Sequence, residues 1–219
     1  MRRKVSIIYK ILVTLSLAAG ILINVIQTTS VSAILSYYTL QSNIICLIGF
    51  IGVLIVELRK YKKTDIYYLI KGAITIAILI TGLTYVFALA PVGFEMDFKQ
   101  KELANTAISN LLVHLISPSL VVLDYFLFDE KGNFKWFYPV IWLFIPYDYL
   151  LYVYTYSSSG GTFYSIGGSK KFAYFFLDYE KIGVSGVAIW IICITACVLF
   201  ISYLLVYIDK KLRDRKERG

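Results

Sequence analysis

An uninterrupted apolar run, IICLIGFIGVLIV at residues 44–56, directly follows the polar stretch SYYTLQSN at residues 36–43. The apolar run suits a helix in lipid, because about 20 mostly apolar residues span the hydrocarbon of a bilayer. The polar stretch is unexpected at the start of such a helix, since hydrogen-bonding groups in hydrocarbon are costly unless they have partners. The apolar run therefore indicates the fold, and the polar stretch indicates where to look for function.

Apolar segments of this kind occur along the whole chain. Its 219 residues are 58% hydrophobic with a mean hydropathy of +0.71, whereas soluble domains are about 45–50% apolar. Six membrane spans are predicted, at about residues 5–27, 34–58, 69–90, 105–128, 134–153 and 183–208. We expect an all-α polytopic membrane protein, a six-transmembrane-helix bundle that forms a single domain over residues 1–219. A β-barrel would need short alternating strands instead of long apolar runs.

The net charge of +8 is distributed unevenly, with basic clusters at residues 2–4, 59–63 and 210–218. These clusters lie on one side of a six-span bundle, so the positive-inside rule predicts a multi-pass protein of the cell membrane with both termini cytoplasmic. We expect membrane lipids as partners of the basic ends, and no nucleic acid. The first span is expected to be retained, because it is longer than a signal peptide's apolar region and contains Lys10. Cleavage after the VSA sequence at residues 31–33 is the alternative, and it would leave five spans.

Polar side chains of the second span share one face. At 100° per residue, an arc of about 120° holds Thr39, Ser42, Asn43, Cys46 and Gly49. We expect this face to point into the bundle, where small residues let another helix approach closely.

The fourth span has a similar polar face. An arc of about 120° holds Thr106, Asn110, His114, Ser117, Pro118 and Asp124. His114 is the only histidine of the chain. Pro118 lacks the N–H that would bond to the carbonyl of His114, so we expect a bend and a local polar opening there.

Helix geometry predicts that these two faces meet. Thr39 lies about 8 Å into its span and His114 about 14 Å into its own, both from the outer side. Asp148 lies near the outer end of the fifth span. We therefore expect Thr39, Asn43, Asn110, His114 and Asp148 to converge on one outward-opening pocket.

Charged residues of the inner half form a separate set. Lys71 and Asp124 are expected at similar depth, where they can form a structural ion pair. The alternative is that Lys10 and Lys71 extend their ammonium groups to the headgroups.

A hydroxyl and an imidazole at matched depth are the minimum for acyl transfer, because a neutral imidazole can accept the proton of the hydroxyl. In this hypothesis Thr39 is the nucleophile and His114 the base, Asp148 orients the imidazole, and Asn43 or Asn110 donates to an oxyanion. The alternatives are structural: Thr39 bonds back to its own helix, Asn43 and Asn110 join helices, and Asp148 reaches water. No metal site and no cofactor is predicted, because one histidine cannot complete a site with Cys193 and Cys197. All three cysteines are expected to act as small packed hydrophobes.

The last outer loop, residues 154–182, is Gly/Ser-rich in its first half and aromatic in its second. It is expected to be either a lid over an outward-facing pocket or a connector with aromatic anchors at the membrane interface.

The chain resembles the androgen-induced and androgen-dependent membrane protein family, most closely its bacterial members. The resemblance lies in YYTLQSN at 37–43, NLLVHLISPSLVVLDYFLFD at 110–129, WFYPVIWLFIPYDYLLYVY at 136–154 and YFFLDYEKIG at 174–183. It implies a six-span fold and a threonine-dependent hydrolase of fatty acid esters of hydroxy fatty acids, with Thr39 as nucleophile and His114 as its partner. The chain departs from the animal members around these motifs, so the resemblance bears on the fold more than on the substrate.

The resulting hypothesis is an intramembrane lipid-ester hydrolase that acts on a fatty-acyl ester. A proton-coupled transporter is one alternative, because the same His, Asp and broken helix suit a proton relay. A non-catalytic membrane factor, in which the polar faces only pack helices, is the other.

Overall fold

A computed structural model of the protein describes residues 2–27, 31–89, 108–165 and 168–218. Its helices are α1 (Arg2–Gln27), α2 (Val31–Leu35), α3 (Tyr38–Arg59), α4 (Asp65–Thr84), α5 (Ile108–Phe128), α6 (Tyr138–Trp142), α7 (Phe144–Ser158) and α8 (Tyr179–Arg218). A π-helical turn, Tyr85–Leu89, continues α4, and a second π-helical segment, Leu112–Ile116, lies within α5.

Five helices are long and apolar enough to cross a membrane: α1, α3, α4 with its continuation to Phe87, α5, and residues 179–215 of α8. This confirms the prediction of an all-α polytopic membrane protein. The start of the predicted fourth span, with Thr106, and the last residue of the third lie outside the described residues.

The predicted fifth span is divided into α6 and α7, which meet at Leu143. Pro146 explains the break, because it has no N–H to bond to the carbonyl of Trp142 and its ring disfavours a regular helix there. The predicted start of the sixth span at residue 183 coincides with Gly183, whose φ of 72° interrupts α8.

Polarity in the bundle is the reverse of that in a soluble protein. Large apolar side chains such as Ile48, Ile192 and Phe200 are exposed, whereas Ser42 and Asn43 are fully buried. The polar face of the second span therefore points inward, as predicted. Cys46 is buried, but Cys193 and Cys197 are exposed on α8, so the expectation of packed cysteines is wrong for this pair.

Buried charges join three helices at the end of the bundle that is distant from Thr39 along α3. Asp124 of α5 accepts hydrogen bonds from Lys10 of α1, at 2.8 Å, and from Lys71 of α4. Lys71 is also 3.6 Å from Asp129. The predicted pair of Lys71 and Asp124 is confirmed. The alternative, in which both lysines reach the headgroups, is wrong because their side chains are fully buried.

The segment between α7 and α8 folds back over the aromatic end of the bundle. It contains a two-stranded antiparallel hairpin, β1 (Phe163–Ser165) and β2 (Gly168–Lys170), and a 3-10 turn, Phe175–Leu177. Phe163, Phe176 and Leu177 are buried against Tyr38 and Tyr149. The segment is thus packed onto α3 and α7.

Candidate active site

Thr39 and His114 lie in contact, 75 residues apart in the chain. Oγ1 of Thr39 is 3.2 Å from Nε2 of His114, and each residue is only 8% exposed. The hydroxyl and the imidazole therefore meet directly within the bundle, as predicted.

The contact of the second ring nitrogen of His114 determines whether Thr39 or His114 donates the hydrogen bond between them. Nδ1 is 3.1 Å from the carbonyl oxygen of Asn110. A carbonyl oxygen only accepts, so Nδ1 carries the proton of a neutral imidazole and Nε2 presents its lone pair. Thr39 therefore donates its hydroxyl proton to Nε2. This is the hydrogen bond that a general base requires.

Tyr85 fixes the plane of the imidazole. Its ring stacks on His114 with the centroids 4.3 Å apart and 26° between the planes. The Asn110 carbonyl and the Tyr85 ring together hold the imidazole with Nε2 toward α3.

The backbone around His114 departs from a regular helix. The amide of Ser117 donates to the carbonyl of Leu112, the spacing of a π-helix. Pro118 follows directly, so the carbonyl of His114 lacks its usual partner four residues later, as predicted. Gly82 of α4 packs at this carbonyl, and a β-carbon there would lie 2.9 Å from the oxygen.

Asn43 acts on the backbone of the site. Its Nδ2 donates to the carbonyl of Thr39 at 2.7 Å and to that of Val113 at 3.2 Å. Both amide protons are used in these bonds, so the expected donation by Asn43 to an oxyanion is not available in this arrangement. Asn43 instead orients the site, because its two hydrogen bonds join the helical turn that carries Thr39 to Val113, the residue before His114.

Asp148 does not orient the imidazole, contrary to the prediction. It lies exposed on α7, and both nitrogens of His114 are already occupied by Thr39 and Asn110. The neighbouring Tyr149 is one of the α7 residues that line the cavity beside Thr39. Asn110 contributes through its carbonyl oxygen, since this atom accepts the bond from His114.

Thr39 lines a largely apolar cavity that is open on one side. Its walls come from α3, α4, α7, α8 and the segment between α7 and α8. Besides Thr39, the residues with hydroxyl groups in its lining include Tyr147, Tyr149, Tyr174 and Thr195. The segment between α7 and α8 supplies Tyr174, Phe176 and Leu177, so of the two expectations for this loop, the structure favours a cover over the cavity.

At the cavity, α7 and α8 are joined by a hydrogen bond of 2.9 Å between the hydroxyls of Tyr147 and Thr195. Both residues line the cavity, and Tyr147 is 44% exposed. The side of the cavity between α7 and α8 is therefore close to the exposed surface of the bundle.

The sequence did not single out Tyr85, Tyr149 and Tyr174. The chain has 19 tyrosines, and neither spacing nor charge distinguishes these three from the rest. Comparison of the chain with protein-family models, curated proteins and solved structures found no match.

Proposed function

We propose that the protein is an intramembrane lipid-ester hydrolase in which Thr39 is the nucleophile and His114 the general base. The observation that carries the proposal is the 3.2 Å contact between Oγ1 of Thr39 and Nε2 of His114, in the tautomer that accepts the hydroxyl proton. The resemblance to the threonine-dependent hydrolases supports the same two residues.

The reaction proceeds in two halves. Nε2 of His114 takes the proton of Thr39 while Oγ1 attacks the ester carbonyl carbon. The tetrahedral intermediate collapses, the bond to the alcohol oxygen breaks, and the imidazolium returns its proton to that oxygen. Water then attacks the acyl-threonine with His114 again as base, which releases the fatty acid and restores the hydroxyl.

The cavity supports a substrate with a long acyl chain. Residues along its walls include Ile80, Leu150, Ile191, Ile194 and Val198. Each buried methylene contributes about 0.8 kcal/mol, so a chain of many methylenes is held without any charged contact. The ester carbon then lies at the Thr39 end.

We propose that the protein is in the cell membrane with both termini cytoplasmic, on the strength of its basic clusters. The Thr39 end of α3 then faces the outer leaflet. Substrate reaches the cavity from the lipid between α7 and α8, because Tyr147 lines the cavity there and is itself exposed.

The purified protein tests the nucleophile. A long-chain fluorophosphonate that forms a covalent bond with activated hydroxyls is expected to label the wild type, and Thr39→Ala is expected to lose the label together with fatty-ester hydrolysis. Thr75→Ala is the matched control, because Thr75 is a buried threonine whose hydroxyl donates to the Lys71 carbonyl. Thr75→Ala is expected to keep both the covalent labelling and the fatty-ester hydrolysis.

Each competing hypothesis gives a different outcome. Labelling that persists in Thr39→Ala excludes this nucleophile. A proton-coupled transporter predicts pH-driven flux in vesicles and no covalent adduct. A non-catalytic factor predicts that Thr39→Ala alters the melting temperature while the wild type shows no turnover.

A further inference from the structure

The α7 wall of the cavity gives its depth below Thr39. The ring of Tyr149 packs edge-on against that of Tyr38, the residue before Thr39, with the centroids 5.2 Å apart. Tyr149 therefore lies close to the level of the nucleophile. Leu143 lines the cavity where α7 begins, and the helical rise from Leu143 to Tyr149 is about 9 Å.

The α8 wall gives a similar depth. The residues of α8 that line the cavity begin at Ile191 and end at Val198. Ile191 follows Trp190, whose ring lies 5.6 Å from that of Phe176 in the segment that covers the cavity. The helical rise from Ile191 to Val198 is about 10.5 Å, so Val198 lies at the end of the cavity away from Thr39.

A buried cluster of side chains closes this far end. Val198 is only 4% exposed and belongs to the cluster together with Ile76 and Trp142. Ile80 and Leu143, which line the cavity on α4 and α7, pack against the same cluster. A chain that extends from Thr39 along these walls therefore meets close-packed side chains at Val198.

Trp142 makes the closed end rigid. Its Nε1 donates a hydrogen bond of 2.9 Å to the carbonyl of Leu69, and a β-carbon on Gly72 would overlap its ring. The indole is held against the backbone of α4 by both contacts. It is therefore not free to rotate away and lengthen the cavity.

We propose that Val198 is a specificity-determining residue, which ends the space for the acyl chain and so sets the chain length that the protein prefers. This inference rests on the proposed function, because it takes the ligand to be the acyl group of an ester that Thr39 attacks. The depth of about 10 Å is smaller than one leaflet, which is half of a hydrocarbon core roughly 30 Å thick. The preferred substrate is therefore a fatty ester whose straight acyl chain is shorter than one leaflet of the membrane.

Ester hydrolysis by the full-length protein in one detergent tests this assignment. The probes are p-nitrophenyl esters with straight acyl chains of increasing length. The wild-type kcat/KM is expected to fall about tenfold once the chain exceeds the cavity, because an extra methylene then overlaps a close-packed wall. Val198→Ala is expected to move this limit to longer chains, and Val198→Phe is expected to move it to shorter chains.

Val206→Ala is the matched control. Val206 lies on the same helix and in the same cluster and is also 4% exposed, but it is not one of the residues that line the cavity. The two alanine variants remove the same methyl groups and are expected to lower the melting temperature to a similar extent. Only Val198→Ala is expected to change the chain-length limit.

Three results would overturn the proposal. A wild-type rate that keeps rising through the longest chains would mean that the chain leaves by the side between α7 and α8. An equal shift of the limit in Val206→Ala would mean that the change comes from general loosening of the cluster. The same limit in the wild type and in both Val198 variants would mean that the chain does not reach this residue.

Binding separates this inference from the proposed function. Alkyl ethers of the same chain lengths cannot be hydrolysed, and their binding is measured by the rise in melting temperature that a ligand of the folded state produces. If the wild type hydrolyses esters through Thr39 and the Val198 variants leave the length limit unchanged, only this inference fails. If the wild type shows no hydrolysis but the Val198 variants shift the length limit for the ethers, the proposed function fails and Val198 still limits a site for a lipid chain.

Discussion

His114 receives three contacts that have different physical roles. The Asn110 carbonyl selects the tautomer, Tyr85 fixes the ring plane, and Thr39 is the partner across the bundle. The Asn110 carbonyl and the Tyr85 ring contact the imidazole without exchanging a proton with it. The imidazole is therefore free to take up the Thr39 proton and return it.

Removal of the imidazole tests this arrangement. His114→Ala is expected to lower kcat by about 10²- to 10⁴-fold, because the Thr39 hydroxyl loses its base. Added imidazole is expected to restore part of the rate by occupying the space that the variant opens. Tyr85→Phe keeps a ring for stacking and is expected to retain most activity. Wild-type hydrolysis in His114→Ala would contradict the role of His114.

The π-helical segment of α5 depends on small residues in the two helices beside it. A β-carbon on Gly20 of α1 would lie 2.8 Å from Cγ1 of Val113, and one on Gly82 of α4 would lie 2.9 Å from the carbonyl oxygen of His114. Close helix approach at small residues is typical of membrane bundles. Here it fixes the position of the segment that carries the imidazole.

Gly82→Ala is expected to displace His114 and reduce hydrolysis strongly, because the added methyl group meets a backbone atom that cannot rotate away. Gly52→Ala is the control, since a β-carbon on Gly52 has nothing within 4 Å. Removing a helical glycine there is expected to stabilise the protein by about 0.5–1 kcal/mol and leave activity unchanged. The kcat and the melting temperature in detergent measure both effects. Equal activity of the two variants would show that this contact does not position the site.

Stability of the whole bundle depends on charges at the end away from Thr39. Asp124 joins α5 to α1 and α4 through Lys10 and Lys71, and all three side chains are fully buried. Buried ions are costly to remove from water, so a pair of this kind is stabilising only while both signs are present. The network holds together the helices whose other ends carry Gly82 and His114.

Asp124→Asn leaves Lys10 without the carboxylate that it pairs with and leaves Lys71 with Asp129 alone. It is expected to destabilise the protein by about 3–5 kcal/mol, measured as a lower melting temperature in detergent. Asp65→Asn is the control, because Asp65 pairs with Lys135 in an exposed salt bridge, and its melting temperature is expected to remain that of the wild type. A similar melting temperature for both variants would mean that the buried network contributes little.

Much of the fold follows from properties of single helices. Apolar length predicts the spans, and the 100° spacing predicts that Asn43 points inward and that Pro118 frees the carbonyl of His114. The pairing of Lys71 with Asp124 follows from depth. The break at Leu143 was missed because the apolar composition of α6 and α7 is continuous, although Pro146 gave a signal.

The sequence by itself determined which segments are apolar enough to span a membrane and which polar residues lie at matching depth, because apolar length and rise per residue are properties of one helix in lipid. Only the tertiary structure decided which buried groups touch. The rotation of α3, α5 and α7 about their axes placed Thr39 on His114 and turned Asp148 to the surface. Tyr174 comes from an irregular segment with no period, so its position in the wall of the cavity depends on aromatic packing between distant parts of the chain.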